Sequence, residues 1–327
     1  MKVLVVGGAG YIGSHMVKML LKEGYEVVVF DNLSSGYRDA VMKAEFVFGD
    51  LSDQAALDAL FTQHRPQVVM HFASIIQVGE STLRPDIYYR NNLANTLNLL
   101  DAMVAHHVKH LIFSSTAAVF GEPDYLPIDE AHPNRPMNPY GWSKLMAEQV
   151  MADYDCAFGL KSVCLRYFNA VGVDPEGLLG ERHDPETHLL PLVLQVASGR
   201  KFEITVFGCD YDTQDGTCVR DYIHVVDLCA AHLLALQYLI NGGDSEQFNL
   251  GNGNGFSVKE VIDTVELATG CKVRVVYGPR RAGDPARLVA NSTKAFVKLG
   301  WKPAFTDLVT IIQHSWAWER RQSQPSN

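Results

Sequence analysis

Residues 7–13 read Gly7-Gly8-Ala9-Gly10-Tyr11-Ile12-Gly13. They follow a short apolar run, residues 3–6, and lead into residues 12–23, where apolar side chains recur at helical spacing. A short apolar run is typical of a buried strand, and the helical spacing predicts an amphipathic helix. We therefore expect a strand, a glycine turn and a helix, which is the unit that begins a doubly wound α/β sheet.

The three evenly spaced glycines predict a dinucleotide site. Gly7 permits a tight turn, Gly10 lets the backbone approach a pyrophosphate, and Gly13 lets helix and strand pack closely. The N-terminus of the helix offers N–H groups and a partial positive charge to phosphates. Asp31 ends the second predicted strand, about 20 residues further on, where a carboxylate accepts ribose hydroxyl groups and repels the extra phosphate of NADP. The sequence therefore favours NAD over NADP.

The rest of the first half alternates between apolar runs and helical stretches. The predicted strands are residues 3–6, 27–30, 46–48, 68–71, 111–113 and 163–167, and the predicted helices are residues 12–23, 54–63, 86–106 and 140–158. This alternation predicts an α/β fold, a Rossmann-type doubly wound parallel sheet with helices on both faces. After about residue 170, Gly and Pro are scattered more densely, which predicts a smaller, interleaved C-terminal α/β substrate lobe.

The expected domains follow from that division. Residues 1–170 form the NAD-binding domain, residues of about 215–250 return to it, and residues 171–327 form mainly the substrate lobe.

Composition excludes several classes of partner. Of 327 residues, 47% are hydrophobic, and the net charge is -9, so an acidic surface would repel nucleic acids and anionic membranes. The six cysteines form no C-x-x-C pair, and no apolar run approaches the roughly 18 residues of a membrane span. We expect a cytoplasmic protein that binds neither nucleic acid nor membrane.

Tyr140 and Lys144 form a candidate catalytic pair. They lie four residues apart at the start of a predicted helix, so they project from one face. A nearby cation lowers the pKa of a phenol, and Lys144 together with a positive nicotinamide ring would bring Tyr140 towards neutrality, ready to accept a proton from an alcohol. A surface tyrosine beside a solvated lysine is the alternative. Ser114 and Thr116 end the strand before this helix, where a hydroxyl group either donates to a substrate oxygen or caps the strand.

Several ordered motifs carry a resemblance that runs nearly from end to end. They are the glycine turn, Asp31-Asn32, His71-Phe72-Ala73, Val78-Gly79-Glu80-Ser81, Tyr89-Arg90-Asn91-Asn92, the Tyr140 and Lys144 pair, Arg166-Tyr167-Phe168-Asn169, Val219-Arg220-Asp221-Tyr222-Ile223-His224-Val225 and Arg281-Ala282-Gly283-Asp284. The chain resembles the extended short-chain dehydrogenase/reductases, and within them the enzymes that epimerise UDP-sugars at C4.

The resemblance implies a role for each matching residue. Tyr140 is the base, Lys144 the cation on the nicotinamide ribose, and Thr116 the catalytic hydroxyl group. The implied NAD-binding residues are Gly7, Gly10, Tyr11, Ile12, Gly13, Asp31, Asn32, Ser35, Asp50, Leu51, Phe72, Ala73, Asn91, Ser114, Tyr140, Lys144 and Tyr167. The implied substrate-binding residues are Thr116, Asn169, His188, Leu189, Arg220, Arg281 and Asp284. Asp50, Asn169 and Arg220 also have plainer alternatives: a helix cap, a turn cap, and an ion pair with Asp221.

Four positions bear on how far the resemblance extends. Thr116 replaces the family's serine, Ile76 lies where several members have a cofactor-contacting lysine, and His188 replaces a substrate-binding asparagine. Leu288 occupies the position whose size is thought to decide whether N-acetyl sugars fit. His188 ends a cluster of histidines and acids, residues 183–188, but Pro185 interrupts it and no third ligand has a fixed spacing, so we expect no metal.

The implied activity is the interconversion of UDP-glucose and UDP-galactose by transient oxidation at C4. The 4-keto sugar then rotates and is reduced on its opposite face. NAD is regenerated at each turnover and stays tightly bound, and the implied assembly is a homodimer. The alternatives are another UDP-sugar (an N-acetylhexosamine, a pentose or a uronate), a nucleotide-sugar 4,6-dehydratase, or a non-catalytic NAD sensor. Ala117-Ala118 lack the acidic pair that a dehydratase needs, and a sensor commonly loses the Tyr/Lys pair.

Overall fold

The computed structural model describes residues 1–281 and 284–323. Ala282 and Gly283, from the last motif of the resemblance, lie outside the described residues. The strands are β1 (Lys2–Val6), β2 (Glu26–Asp31), β3 (Glu45–Phe48), β4 (Val68–His71), β5 (His110–Thr116), β6 (Lys161–Tyr167), β7 (Asn169–Val171), β8 (Ile204–Phe207), β9 (Val219–His224), β10 (Glu246–Leu250), β11 (Gly255–Ser257), β12 (Val275–Gly278) and β13 (Arg287–Leu288). The α-helices are α1 (Tyr11–Lys22), α2 (Gln54–His64), α3 (Val78–Leu83), α4 (Pro85–Tyr88), α5 (Asn95–Ala105), α6 (Pro139–Phe158), α7 (Leu189–Ala197), α8 (Val225–Ile240), α9 (Val258–Thr269), α10 (Thr293–Leu299) and α11 (Leu308–Gln322).

Seven of these strands form one parallel sheet in the order β10-β6-β5-β4-β1-β2-β3. The chain runs outward from β1 through β2 to β3, then crosses back to β4 and continues in the other direction. The order therefore reverses between β1 and β4, and ligands of open α/β sheets bind at the carboxyl ends of the strands at such a point. The predicted doubly wound parallel sheet is confirmed.

The strand residues alternate between two hydrophobic cores, as the two-residue period of a strand requires. Val3 and Val5 of β1 face α1 and α8 on one side of the sheet, whereas Leu4 and Val6 face α2, α5 and α6 on the other. Both faces are covered by helices, which explains why the strands are apolar throughout rather than alternating with polar residues.

The smaller lobe has its own core and its own short strands. Helices α7, α9 and α11 pack with β8 around Val193, Ile204, Val265 and Ile311. β9 pairs with β7, β11 and β13, and β12 pairs with β8. Between these elements the chain returns to the large sheet, where α8 covers one face and β10 forms the edge beside β6. The lobe is therefore interleaved with the sheet.

One predicted helix differs in detail. The expected helix over residues 86–106 contains a π-helical section, Tyr89–Ala94, between α4 and α5. Asn92 lies in that section, and its side chain bonds both the N–H and the C=O of Ile75 at 2.9 Å. These bonds tie the section to the loop after β4, and π-helical turns are frequent at functional sites.

Across residues 1–281 and 284–323, no helix combines the length and the apolar character needed to cross a membrane.

Candidate active site

Of the three evenly spaced glycines of the turn, one has open space beside it and the other two have none. A Cβ on Gly13 would lie 2.2 Å from the carbonyl oxygen of Gly7, and one on Gly7, whose φ is +79°, would lie 2.5 Å from the backbone nitrogen of Ala73. A Cβ on Gly10 would meet nothing nearer than the Gly7 oxygen at 3.4 Å. Gly7 and Gly13 therefore serve the turn and the packing, whereas the backbone at Gly10 is open to a ligand.

Helix α1 begins at this opening with unpaired donors. Gly10 is its N-cap residue and supplies no side-chain cap. The first N–H groups of a helix have no partner within the helix, so those of Tyr11 and Ile12 are available to phosphate oxygens.

Asp31 closes the turn, since its Oδ2 accepts from Ala9 N at 2.9 Å and its Oδ1 from Leu33 N at 2.8 Å. Each carboxylate oxygen keeps acceptor capacity for a ribose hydroxyl group. The cradle therefore fits a dinucleotide.

Asn32, Ser35, Asp50 and Leu51, which the resemblance implies as NAD-binding residues, follow the second and third strands of the sheet. The amide of Asn32 donates to Asp50 Oδ2 at 2.5 Å, and Asp50 Oδ1 accepts from the backbone N–H of Ser52 at 2.8 Å. Bonds from the Ser52 hydroxyl and N–H lower the pKa of Asp50 against the opposing effect of burial. Asp50 thus closes a turn, whereas Asp53 caps α2. Leu51 is buried, and Ser35 is exposed.

Tyr140 and Lys144 lie in the first turns of α6 and are both buried, with 9% and 2% of their surfaces exposed. Asn138 caps the helix by accepting from Gly141 N at 2.9 Å, which fixes where α6 begins. Lys144 Nζ donates to the carbonyl oxygen of Ser114, at the end of β5, at 2.9 Å. This bond ties the helix to the strand that carries Thr116, and the pair is not the solvated surface pair that the sequence left open.

Burial changes the acid–base behaviour of both side chains. It lowers the pKa of Lys144 to about 7, with the charge of Glu148 opposing the shift. It raises the pKa of Tyr140, with a hydrogen bond from Thr116 opposing. The sequence predicted a lowered Tyr140 pKa from Lys144 and a positive nicotinamide ring together. In the chain alone the effect of burial is the larger one, so the pKa of Tyr140 lies above its ordinary value.

A buried ion pair behind Lys144 was missed by the sequence reasoning. Arg166 of β6 meets Glu148 of α6, with Nε 3.0 Å from Oε1 and Nη2 2.5 Å from Oε2, and at most 5% of either side chain is exposed. The hydroxyl of Ser115 also donates to Glu148. Glu148 follows Lys144 by four residues, so the sequence alone could have shown that the two side chains lie on one face of the helix. Through Lys144 and Glu148, helix α6 therefore holds the end of β5 at two successive residues, Ser114 and Ser115.

Aromatic residues line the sheet edge beside this pair. The hydroxyl groups of Tyr167 and Ser114 are hydrogen-bonded. Phe72 packs on His232 with ring centroids 4.9 Å apart, and Ala73 lies against Gly7. The hydroxyl group of Tyr11 donates to the carbonyl oxygen of Gly172 at 2.5 Å. Asn91 lies half-buried in the π-helical section.

The structure also brings together part of the expected nucleotide clamp. Arg220 Nη1 donates to the carbonyl oxygens of Val219 and Pro285, at 2.9 and 2.8 Å, and its Nη2 lies 3.7 Å from Asp284 Oδ1. The guanidinium of Arg281 stacks 4.0 Å above the ring of Phe207. Arg220 therefore pairs with Asp284 rather than with Asp221. Asn169 is exposed at the start of β7.

Leu288 connects this clamp to the catalytic strand. It pairs with Arg220 in the register of β13 and β9. Its side chain packs against the small core of Ala117, Val119 and Phe120, which follows Thr116 directly.

His188 is the N-cap residue of α7, which begins at Leu189. Its Nδ1 bonds Glu181, and Glu186 Oε1 accepts from the His188 backbone N–H at 2.9 Å. Burial raises the pKa of a carboxyl group, but His188 and His183 outweigh it and hold the pKa of Glu181 at about 2. Burial lowers the pKa of an imidazole, but Glu181 and Glu186 outweigh it and raise the pKa of His183 to about 10.

The chain is similar along most of its length to known proteins. Residues 3–251 match the NAD dependent epimerase/dehydratase family. The UDP-glucose 4-epimerase of Halalkalibacterium halodurans is 51% identical over 320 residues, which cover 98% of this chain and 96% of that protein. The UDP-glucose 4-epimerase of Brucella ovis, solved in complex with NAD, is 49% identical and superposes with a TM-score of 0.94 over 97% of each chain. The enzyme of Bifidobacterium longum, solved with NAD+ and UDP, is 40% identical with a TM-score of 0.94 over 98% of each chain.

Proposed function

Since this chain belongs to the NAD dependent epimerase/dehydratase family, we propose that it interconverts UDP-glucose and UDP-galactose with tightly bound NAD. The observation that carries the proposal is the buried arrangement of Tyr140, Lys144 and Thr116. It lies at the carboxyl end of β5, in the same sheet whose order reverses beside the glycine cradle. An acid–base group beside a dinucleotide cradle is what oxidation of a secondary alcohol requires.

In the proposed mechanism Tyr140 is the acid–base group. Its phenolate oxygen takes the proton of the sugar 4-hydroxyl group. The hydroxyl group of Thr116 holds the 4-oxygen of the sugar by a hydrogen bond. When bound, NAD supplies the acceptor and later the donor of the hydride at C4, so the net reaction consumes no oxidant. Tyr140 keeps the proton while the substrate is a 4-keto sugar and returns it after the sugar has turned. Lys144, in its charged form, favours the phenolate by its proximity.

The clamp and the sugar site have different tasks in this proposal. Arg220 and Arg281 hold the diphosphate, Asp284 the uridine ribose, and Asn169, His188 and Leu189 complete the nucleotide contacts. A guanidinium binds a phosphate through two parallel hydrogen bonds, so the nucleotide is held firmly. The hexose faces Leu288, whose aliphatic side chain offers it no hydrogen bond. A firmly held nucleotide and a loosely held sugar permit the 4-keto sugar to turn.

Two features support an epimerase over the alternatives. Ala117 and Ala118 follow Thr116, so the position where a dehydratase carries its acidic pair holds two methyl groups. Tyr140 and Lys144 are retained and buried together, which is not expected of an NAD sensor that performs no proton transfer. The choice among UDP-sugars depends on Leu288 and is tested below.

We also propose the homodimer that the resemblance implies and the cytoplasmic location that the composition favours. Light scattering of the purified protein tests the first: a mass of about twice the 36.2 kDa chain supports it, and a monomer contradicts it.

The proposal is tested by incubating the purified protein with UDP-galactose, without added NAD, and measuring UDP-glucose. We expect conversion by the wild type and at least a hundredfold loss in Tyr140→Phe, since general acid–base catalysis contributes roughly 10² to 10⁴ in rate. Tyr154→Phe is the matched control, because Tyr154 lies on the same helix but bonds the exposed Asp101 at 2.5 Å. No conversion by the wild type, or equal conversion by Tyr140→Phe, contradicts the proposal.

A further inference from the structure

A group of four side chains outside the catalytic arrangement of Tyr140, Lys144 and Thr116 has the chemistry of a metal site, and one of them, His188, is also an expected nucleotide contact. Glu181, His183, Glu186 and His188 each offer one ligand atom, and these four atoms all lie within 4.8 Å of one another. The residues come from the segment that precedes α7. The sequence expectation of no metal rested on the interruption by Pro185 and on the lack of a third ligand at a fixed spacing, yet the rings of His183 and His188 lie 5.0 Å apart, centroid to centroid, with both glutamates beside them.

We propose that Glu181, His183, Glu186 and His188 form a structural binding site for one zinc ion per chain.

The spacing of the ligand atoms matches a tetrahedral ion. Two bonds of about 2.0–2.1 Å that meet at a tetrahedral angle place their ligand atoms roughly 3.3–3.4 Å apart. His183 Nδ1 lies 3.3 Å from Glu181 Oε1 and 3.5 Å from Glu186 Oε1. The Nδ1 atom of His188 also approaches Glu181 Oε1, so both histidines converge on one carboxylate. All four ligand atoms lie within 4.8 Å of one another, so each pair needs to draw together by at most about 1.5 Å around an ion.

The charges of the cluster also favour a divalent cation. The carboxylates of Glu181 and Glu186 are only 5% and 6% exposed, and two buried negative charges require two compensating positive charges. One divalent cation supplies both charges at a single point between the carboxylates.

The outer contacts orient the ligands as they do in known metal sites. Glu186 Oε1 accepts from the backbone N–H groups of Thr187 and His188 at 2.8 and 2.9 Å. The ring of His183 packs edge to face on Tyr11, with centroids 6.2 Å apart. Hydrogen bonds and packing of this kind hold first ligands in place. Two imidazole nitrogens and two carboxylate oxygens suit Zn²⁺ better than Mg²⁺ or Ca²⁺, which prefer oxygen ligands only.

The proposed site is structural because all four positions of a tetrahedral ion are filled by protein ligands. It would tie the segment before α7 to the start of α1, where Tyr11 lies. The inference does not depend on the proposed epimerase activity, since metal binding is measured in the absence of any sugar nucleotide.

The test is zinc binding by the chelator-stripped protein, measured by titration calorimetry with ZnCl₂ alone. We expect one zinc ion per chain, a higher thermal midpoint with zinc, and binding weakened at least tenfold in His183→Gln and in Glu186→Gln. MgCl₂ should give no such binding. His106→Gln is the matched control, because His106 forms a surface pair with Asp58 at 2.8 Å, so the variant should bind zinc like the wild type. Absence of binding, or binding unchanged in His183→Gln, overturns the proposal.

A second measurement needs only the wild type, in case a variant fails to fold. Cobalt added to the stripped protein should give the strong visible bands of a tetrahedral ion with nitrogen and oxygen ligands. The weak spectrum of an octahedral ion overturns the proposal. A thiolate charge-transfer band, which the exposed Cys156 or Cys209 would produce, overturns it as well.

Discussion

Glu148→Gln is the perturbation that most directly separates the support of the active site from its chemistry. Glutamine keeps the shape of glutamate but removes its charge. Arg166, whose side chain is 5% exposed, is left as a buried guanidinium without a carboxylate, and Ser115 loses a charged acceptor. Lys144 loses the negative charge that opposes the effect of burial on its pKa.

The expected magnitudes follow from these two losses. Removing one partner of a buried ion pair costs about 3–5 kcal/mol. An unfolding entropy of about 2.1 cal/mol/K per residue gives roughly 0.7 kcal/mol/K for 327 residues, so 1 kcal/mol shifts the thermal midpoint by about 1.5 °C and we expect a fall of roughly 4–7 °C. The pKa of Lys144, already about 7, should fall further. The ammonium is present below its pKa and lost above it, so the alkaline limb of the activity profile should move to lower pH.

The assays are thermal unfolding of the NAD-loaded protein and the pH dependence of kcat for UDP-galactose. Asp155→Asn is the matched control, because Asp155 lies on the same helix and pairs with the partly exposed Lys161 at 3.2 Å. That change should cost at most about 1 kcal/mol and leave the pH profile in place. An equal thermal midpoint in the two variants refutes the stabilising role of the pair. A lower midpoint with an unmoved alkaline limb refutes the influence of Glu148 on Lys144.

Three further predictions concern other parts of the site. Gly10→Ala should fold normally, since a Cβ there meets nothing nearer than 3.4 Å, yet it should purify with little NAD. Gly13→Ala should instead lose stability, because its Cβ would lie 2.2 Å from a backbone oxygen. Equal NAD content in the wild type and in Gly10→Ala contradicts the prediction that Gly10 opens the turn to the cofactor. Leu288→Tyr should lower kcat/KM for UDP-N-acetylglucosamine relative to UDP-galactose about tenfold or more, and an unchanged ratio argues against its place at the sugar. Burial raises the pKa of Asp221 from 3.8 to about 6, so the contribution of this carboxyl to stability is largest below pH 3.8 and declines as the pH rises through 6. The difference in unfolding free energy between wild type and Asp221→Asn, measured by urea unfolding, should therefore change between pH 3.8 and 6. A constant difference contradicts the raised pKa.

Local spacing explains what the sequence predicted well. The doubly wound sheet follows from apolar runs that alternate with helical stretches, and each signal lies within about 20 residues. Tyr140 and Lys144 share a helical face for the same reason. The sequence also places Asp31 at the end of β2, although it does not reveal that both carboxylate oxygens hold the backbone of the turn.

Contacts between distant segments explain what the sequence could not show. Glu148 meets Arg166 only because α6 packs beside β6, and Arg220 meets Asp284 because β9 pairs with β13. The convergence of Glu181 and His188 depends on the path of an irregular segment. Such a segment has no helical or strand periodicity from which the sequence could predict the contact. The raised pKa of Tyr140 depends on burial, which a four-residue spacing cannot measure.

The central claim is that the hydrogen removed from C4 of the sugar returns to C4 of the same molecule. The most direct measurement uses UDP-galactose with deuterium at C4, incubated with the purified protein without added NAD, and locates the label in the UDP-glucose by NMR. We expect the deuterium to remain at C4 in the opposite configuration, with none released to water. Loss of the label to solvent, or product that carries hydrogen at C4, would contradict the proposed mechanism.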